Sequence, residues 1–502
     1  MIYGRSDRGA SQNKHTRNNN RIIYEIMKTK HLIIAAAMAF VGLSASATAP
    51  ATCCAAKAAP KYVFLFIGDG MGMGPVMSTL AYQRMAHPTD TLVMSTFPVV
   101  SWCQTYSASS PVTDSAAAGT ALSTGTKTKN TMLGMGPDTV AVTSIARQFK
   151  DKGWGVGIIT TVAPDDATPG AFYTHVPNRN MFYQIDCDAA ASGYDFIAGA
   201  GLRGLKDKDG KPTDVLERFA AAGVSVVHGL DTMPAATPGT RVLLLSPEGV
   251  GEDNNVGYTI DSVPEALKLP EMTRVGLTYV QRTAAEPGRP FFMMIEGGNI
   301  DHALHGNDGG AAIKEIINFD QAIRVAYDFY LQHPDETLIV ITADHDTGGM
   351  TLGNNVLHYD AKPQLIDSQR VSKEEFSAYC KGILKSRRIY RWDDMKEYLT
   401  DKLGLFTIVP VSAEQEKTLR DKFEACFTQR NSADEKTLYA SFNAFAVDVF
   451  RHLNGQTGFG FTTTSHTGNP VPVFAVGVGA CRFKSLNNNK NILEIIRTLT
   501  GL

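Results

Sequence analysis

Tyr62-Val63-Phe64-Leu65-Phe66-Ile67-Gly68-Asp69-Gly70-Met71-Gly72 is the stretch on which the reading of the fold turns. Tyr62 to Ile67 is an unbroken apolar run, the pattern of a strand covered on both faces. The glycines that follow permit a sharp turn and a close backbone approach, and they leave Asp69 projecting from the strand's carboxyl end. Open α/β sheets bind ligands outside the carboxyl ends of their strands, so Asp69 is a candidate binding residue. Capping of the next helix is the alternative.

The pattern recurs down the chain. Gly153 to Thr161 reads as a second buried strand, followed by Asp165-Asp166-Ala167-Thr168-Pro169-Gly170 and then His175 and Arg179. A guanidinium fork close behind a strand end is the side chain best matched to phosphate oxygens. Pro290 to Ile295 delivers Glu296, and Asp301 and His305 four residues apart share one face of a helical turn. A carboxylate and an imidazole placed so can meet one divalent ion, or can simply bond to each other. Thr337 to Ala343 ends in Asp344-His345-Asp346, and His466 stands in a loop before the strand Val471 to Val478. Between about 190 and 290 helical and loop-like stretches alternate, with Arg241 to Leu245 a further strand. Strands interleaved with helices set the class as α/β.

Thr113-Asp114-Ser115-Ala116-Ala117-Ala118-Gly119-Thr120 places a serine between an acid and small, mostly helix-favouring residues. A hydroxyl in the first turn of a helix faces free N–H groups and the positive end of the dipole, an anion site before any side chain is counted. An N-cap opening an ordinary Ala-rich helix is the plainer reading.

Composition bounds the answer. The 502 residues are 43% apolar and 20% charged, as a globular chain with a proper core requires. A net charge of −2 leaves no basic excess for nucleic acid, so any phosphate recognition is local. The seven cysteines show no C-x-x-C zinc spacing, and no pairing is assigned. Met27-Lys28-Thr29-Lys30 followed by Leu32 to Val41 and small residues has the shape of a secretory signal over 27–49. The apolar run is short for a membrane span. Met27 is read as the start of translation, 1–26 as a non-native upstream extension and 50–60 as a linker. The location is then periplasmic or secreted, with lipidation at Cys53 or Cys54 a weaker alternative.

A long insertion, about 350–460, separates His345 from His466. Ser372-Lys373-Glu374-Glu375 and Ser412-Ala413-Glu414-Gln415 are capping-box patterns, and Asp393-Asp394 opens another helix. Leu438, Phe442, Phe445 and Val449 keep helical spacing. The insertion is expected to be a mainly helical subdomain over the mouth of the site, or an elaborated connection packed away from it.

Taken in order from Lys61 to the C-terminus, these segments resemble the alkaline phosphatase family. The motifs that carry the resemblance are Ile67 to Gly72, Thr113 to Ala117, Asp166 to Pro169, Glu296 to His302 with His305, Thr342 to His345, and Thr464 to His466. The resemblance implies a three-layer sandwich, a large mostly parallel sheet flanked by helices, over 61–502. It implies two Zn2+ and one Mg2+. Asp301, His305 and His466 would hold the first zinc. Asp69, Asp344 and His345 would hold the second beside the nucleophile Ser115. Asp69, Thr168 and Glu296 would hold magnesium, and Arg179 would grip phosphate. Asp166 and His302 would form a mixed auxiliary pair near magnesium and substrate, where the family uses Asp with Lys or His with His. Small phosphate monoesters are the implied substrates, and pairing into a homodimer stays open. Two alternatives remain: a superfamily relative acting on phosphodiesters or sulfate esters, and a non-catalytic metal- or phosphate-binding envelope protein.

Overall fold

The computed structural model describes residues 59–250, 254–283, 286–386, 389–431 and 433–502. The expected upstream extension and signal, 1–49, and all of the linker but Ala59 and Pro60 lie outside the described residues. Nine strands form one sheet: β1 (Tyr62–Gly68), β2 (Val99–Cys103), β3 (Gly155–Thr160), β4 (Phe196–Ala198), β5 (Val224–His228), β6 (Arg241–Leu245), β7 (Phe291–Gly297), β8 (Thr337–Thr342) and β15 (Val471–Gly477). Their spatial order is β2-β15-β8-β1-β7-β3-β4-β6-β5. Seven run parallel, and β15 pairs antiparallel with β2 and β8. Between β8 and β15 lie six two-residue strands: β9 (Asp346–Thr347), β10 (Thr351–Leu352), β11 (Glu435–Lys436), β12 (Ser441–Phe442), β13 (Phe459–Gly460) and β14 (His466–Thr467).

The unbroken apolar runs are strands buried on both faces. Every residue of β1, β3, β7 and β8 is buried. Neighbouring residues of β7 point to opposite faces, and each face is covered by helix. Phe291 packs on Phe329 of the helix Gly309–Gln332, while Phe292 packs on Phe149 of the helix Ile145–Asp151. Each such fully buried ring contributes about 1.5–3 kcal/mol. This is the three-layer sandwich.

Three strands of the sheet escaped the sequence reading, β2, β4 and β5. β4 is three residues long, and β2 and β5, at the two edges of the sheet, are only partly buried, so none makes a long continuous apolar run. His466 also departs from its expected loop, because β14 pairs antiparallel with β9, His466 opposite Thr347.

The inserted stretch forms the helices Lys373–Ser386, Trp392–Leu403, Ala413–Phe423 and Ala444–Thr457 around its own apolar cluster of Phe376, Trp392, Met395, Leu399, Phe423 and Phe445. The capping box at Ser412 is complete, with Gln415 N donating to Ser412 Oγ at 3.2 Å and Ser412 N to Gln415 Oε1 at 2.8 Å. At Ser372 it is half made: Glu375 N donates to Ser372 Oγ, but Ser372 N turns to Asp261 Oδ1 at 2.6 Å. The helical spacing through Leu438 and Phe442 misled. Both lie in the β11–β12 hairpin, and the helix starts at Ala444. Among the described residues no helix is long and apolar enough to cross a membrane.

Candidate active site

Parallel register gathers the acids. Gly68 of β1 stands opposite Gly297 of β7, Ile67 opposite Thr342 of β8, and Thr160 of β3 opposite Glu296. Asp69, Glu296, Asp344, His345 and the Asp165–Thr168 turn therefore leave the sheet at one carboxyl edge. Gly70 has φ +70°, and a Cβ there would sit 2.7 Å from Asp301 Oδ1, so glycine is what lets the β1 turn approach the helix Asn299–His305.

Ser115 is the first residue of the helix Ser115–Thr124, and Asp114 is its cap, with Oδ1 accepting from Ala117 N at 3.0 Å. The plain reading and the functional one thus coexist. Gly119 brings this helix against Thr168, since a Cβ there would lie 3.2 Å from Thr168 Cα. Ser115 Oγ stands 3.1 Å from His345 Nε2.

Two groups of metal-ligand type result, Asp69 with Asp344 and His345, and Asp301 with His305 and His466; within each the ligand atoms lie within 4.8 Å of one another. His345 Nε2 is 3.4 Å from Asp69 Oδ1 and 3.1 Å from Asp344 Oδ2. His305 Nε2 is 3.3 Å from Asp301 Oδ2 and 3.1 Å from His466 Nε2. The groups adjoin, with the rings of His345 and His466 stacked at 3.6 Å. The outer ring nitrogens are tied down: His305 Nδ1 meets Thr464 O at 2.6 Å, and His466 Nδ1 meets Thr113 O at 3.0 Å. A donor proton on Nδ1 leaves the Nε2 lone pair facing the centre.

The electrostatics are those of a site built for cations. Asp69 Oδ1, Thr168 Oγ1, both Glu296 carboxylate oxygens, Asp301 Oδ2 and Asp344 Oδ2 are buried without a well-formed hydrogen bond. Burial, and then Asp344, Asp301 and Glu296, push the Asp69 carboxyl well above the usual range. Burial pushes Glu296 up to about 8, against the pull of the nearby Thr160 and Thr168 hydroxyls. Burial would raise Asp301 too, but His305, His466 and His345 hold it well below. His466 falls to about 3 through burial and the adjoining His345. Protein groups alone leave four acids here crowded and under-partnered. Divalent cations would satisfy the orphaned oxygens and oppose the upward shifts of Asp69 and Glu296, so the donor set fits carboxylate- and imidazole-bound metal.

Arg179 stands at the same edge. Its Nη2 donates to Asp166 Oδ1 at 2.8 Å and to the Tyr439 hydroxyl at 3.3 Å, and its Nη1 lies 3.7 Å from Asp114 Oδ2. Burial opposes ionisation of Asp166, yet Arg203 and Arg179 hold its carboxyl below the usual range. His302 feels the charges of Asp301 and Asp166, but burial brings it down to about 4. The twelve residues to which the family resemblance gives a role thus cluster at this edge, while His175 turns its Nδ1 to Gly134 O at 2.7 Å.

Three neighbours were missed. Thr347 donates to Asp301 Oδ1 and lies 3.2 Å from His345 Nδ1; its place two residues past His345 was the available signal. Arg203 Nη1 pairs with Asp166 Oδ2 at 3.3 Å and Nε with Asp165 Oδ1 at 2.8 Å, with no local motif to mark it. Tyr439 comes from the insertion, where helical spacing hid it.

A profile of the alkaline phosphatase family matches residues 60–199 and 205–502. Alkaline phosphatase 4 of Bacillus subtilis is 29% identical over 392 residues, 77% of this chain and 76% of that one. Streptomycin-6-phosphate phosphatase of Streptomyces griseus is 30% identical over 354 residues, 60% of this chain and 76% of that one. The solved structure of a cold-active alkaline phosphatase from Shewanella sp. superposes with a TM-score of 0.72 at 27% identity, covering 88% of this chain and 99% of that one. The chain belongs to the alkaline phosphatase family and is a phosphatase.

Proposed function

We propose that the enzyme hydrolyses phosphate monoesters to an alcohol and inorganic phosphate through a phosphoserine on Ser115. Asp301, His305 and His466 would hold one zinc, Asp69, Asp344 and His345 a second, and Asp69, Thr168 and Glu296 a magnesium. When bound, such ions supply Lewis acidity that lowers a hydroxyl's pKa and offsets charge on a phosphoryl group.

The chain's own groups do the rest. Ser115 Oγ attacks phosphorus in line with the ester oxygen. The Oγ–P bond forms, the ester P–O bond breaks, and the serine proton ends on the departing alcohol. Water then attacks the same phosphorus, returning one proton to serine and leaving the other on phosphate. Arg179 offers a fork to two equatorial oxygens, and the N-terminus of the helix Ser115–Thr124 favours the negative charge between them. Asp166 and Asp114 hold that fork before substrate arrives.

The observation that carries this reading is the pair of buried carboxylate–imidazole groups beside Ser115, with oxygens that no protein group satisfies. Chelation is expected to abolish turnover of p-nitrophenyl phosphate, and zinc with magnesium to restore it. Metal-free protein that stays active contradicts the reading. In a substrate panel monoesters should exceed diesters and sulfate esters. Export is part of the proposal: protein recovered outside the cytoplasm should begin near Thr48 or Pro50, after cleavage behind Ala47 or Ala49.

A further inference from the structure

The β11–β12 hairpin is built to reach the site. Glu435 pairs with Phe442 and Lys436 with Ser441, and Thr437 N donates to Ala440 O at 2.8 Å to close the turn that carries Tyr439. Its base is fastened on the insertion side: Lys381 Nζ pairs with Asp434 Oδ2 at 3.1 Å, and Asn443 N donates to Ser377 Oγ at 2.8 Å. It is also seated on the sheet-edge side. Phe442 lies under the Lys373 ammonium at 4.4 Å, and against Gly306, where a Cβ would stand 3.1 Å from the ring. Held so, Tyr439 stacks its ring on His302 with centroids 4.0 Å apart and presents an edge to His305 at 5.2 Å. Its hydroxyl accepts from Arg179 Nη2 at 3.3 Å.

We infer that Tyr439 is a positioning residue for phosphate binding, holding the Arg179 guanidinium in the pose that receives the phosphoryl oxygens. The inference rests on Arg179 being the phosphate anchor. An arginine side chain has many rotamers to lose, and a fork fixed before binding does not lose them when ligand arrives. Asp166 and Asp114 hold the guanidinium from the sheet edge. Tyr439 holds it from the insertion, with a ring fixed by stacking on His302. The inserted segment thereby tunes how tightly substrate and product phosphate bind, leaving the bond-making group, Ser115, untouched.

Tyr439→Phe keeps the ring on His302 and removes the hydroxyl, so it tests the contact without emptying the hairpin tip. In the metal-loaded enzyme it should weaken inorganic phosphate binding by calorimetry, and raise KM, by roughly tenfold, or about 1.4 kcal/mol, with kcat changed far less. Arg179→Gln alone should weaken phosphate more. Adding Tyr439→Phe to Arg179→Gln should then cost nothing further. Wild-type phosphate affinity in Tyr439→Phe overturns the inference, as does an undiminished loss in the Arg179→Gln background. Wild-type affinity in Arg179→Gln alone would instead remove the anchor itself, and both assignments with it.

Discussion

The sheet edge and the insertion build side-chain clusters by opposite means. At the sheet edge, parallel register delivers buried acids and imidazoles from distant parts of the chain to one line, and many of their oxygens lack partners. In the insertion, four helices close a mostly apolar cluster of their own, and one hairpin carries a single aromatic hydroxyl across to Arg179. One region is electrostatically costly and chemically armed, and the other is stabilised by ordinary burial. Residues that perform chemistry need the rigid sheet, whereas a residue that adjusts affinity can arrive on an accessory element.

That contrast can be broken at several points. Ser115→Ala should lower kcat roughly a thousandfold or more while still binding phosphate, because the loss falls on bond formation alone. Wild-type turnover would remove the sheet edge's claim to the chemistry. Leu399→Ala, at a fully buried position of the insertion's cluster, should cost about 2–5 kcal/mol. Hydrogen exchange should then rise across 373–457 while β1, β7 and β8 stay protected. Equal acceleration in the sheet would make the two regions one cooperative unit.

The pH response should belong to the sheet-edge side. Asp186 is buried in the helix Phe182–Ala191, with Oδ1 unpartnered and Oδ2 accepting from Gly204 N at 3.1 Å. Burial and then Asp165 push its carboxyl up to about 9. A raised folded pKa means its contribution is whole below the unfolded value of about 3.9 and is lost as pH rises through about 9. Asp186→Asn should therefore gain stability on the wild type as pH rises from 5 to 9, on the order of 1 kcal/mol or more, read as a higher relative Tm. The Leu399→Ala deficit should stay level over that range. The smallest effect is Ser412→Ala, which dismantles a complete capping box and should cost about 0.5–2 kcal/mol, read as a lower Tm with unchanged kcat/KM.

How much was legible follows from the same contrast. β1, β3, β7 and β8 announce themselves because burial on both faces leaves no polar residue to interrupt the run. The acids at their ends were readable because a strand's end is fixed by the run before it. β2, β4 and β5 were not, β4 too short and the other two too exposed at the edges. Arg203 is defined by ion pairs 37 and 38 residues away in sequence, to Asp166 and Asp165, which no local pattern records. Leu438 and Phe442 fit a helix by spacing yet sit in a hairpin tied down by Lys381, Asp434 and Ser377, tertiary contacts that override periodicity. The Tyr439 they bracket was lost with them.

The central claim is that strand ends and one helix start converge so that a single hydroxyl takes the phosphoryl group. Acid quenching of the metal-loaded enzyme during turnover of a labelled monoester, followed by peptide mass spectrometry, tests it directly. The account predicts phosphate covalently bound to Ser115 and absent from Ser115→Ala. Label on another residue, or full turnover with no covalent phosphate trapped across the pH range, would contradict it.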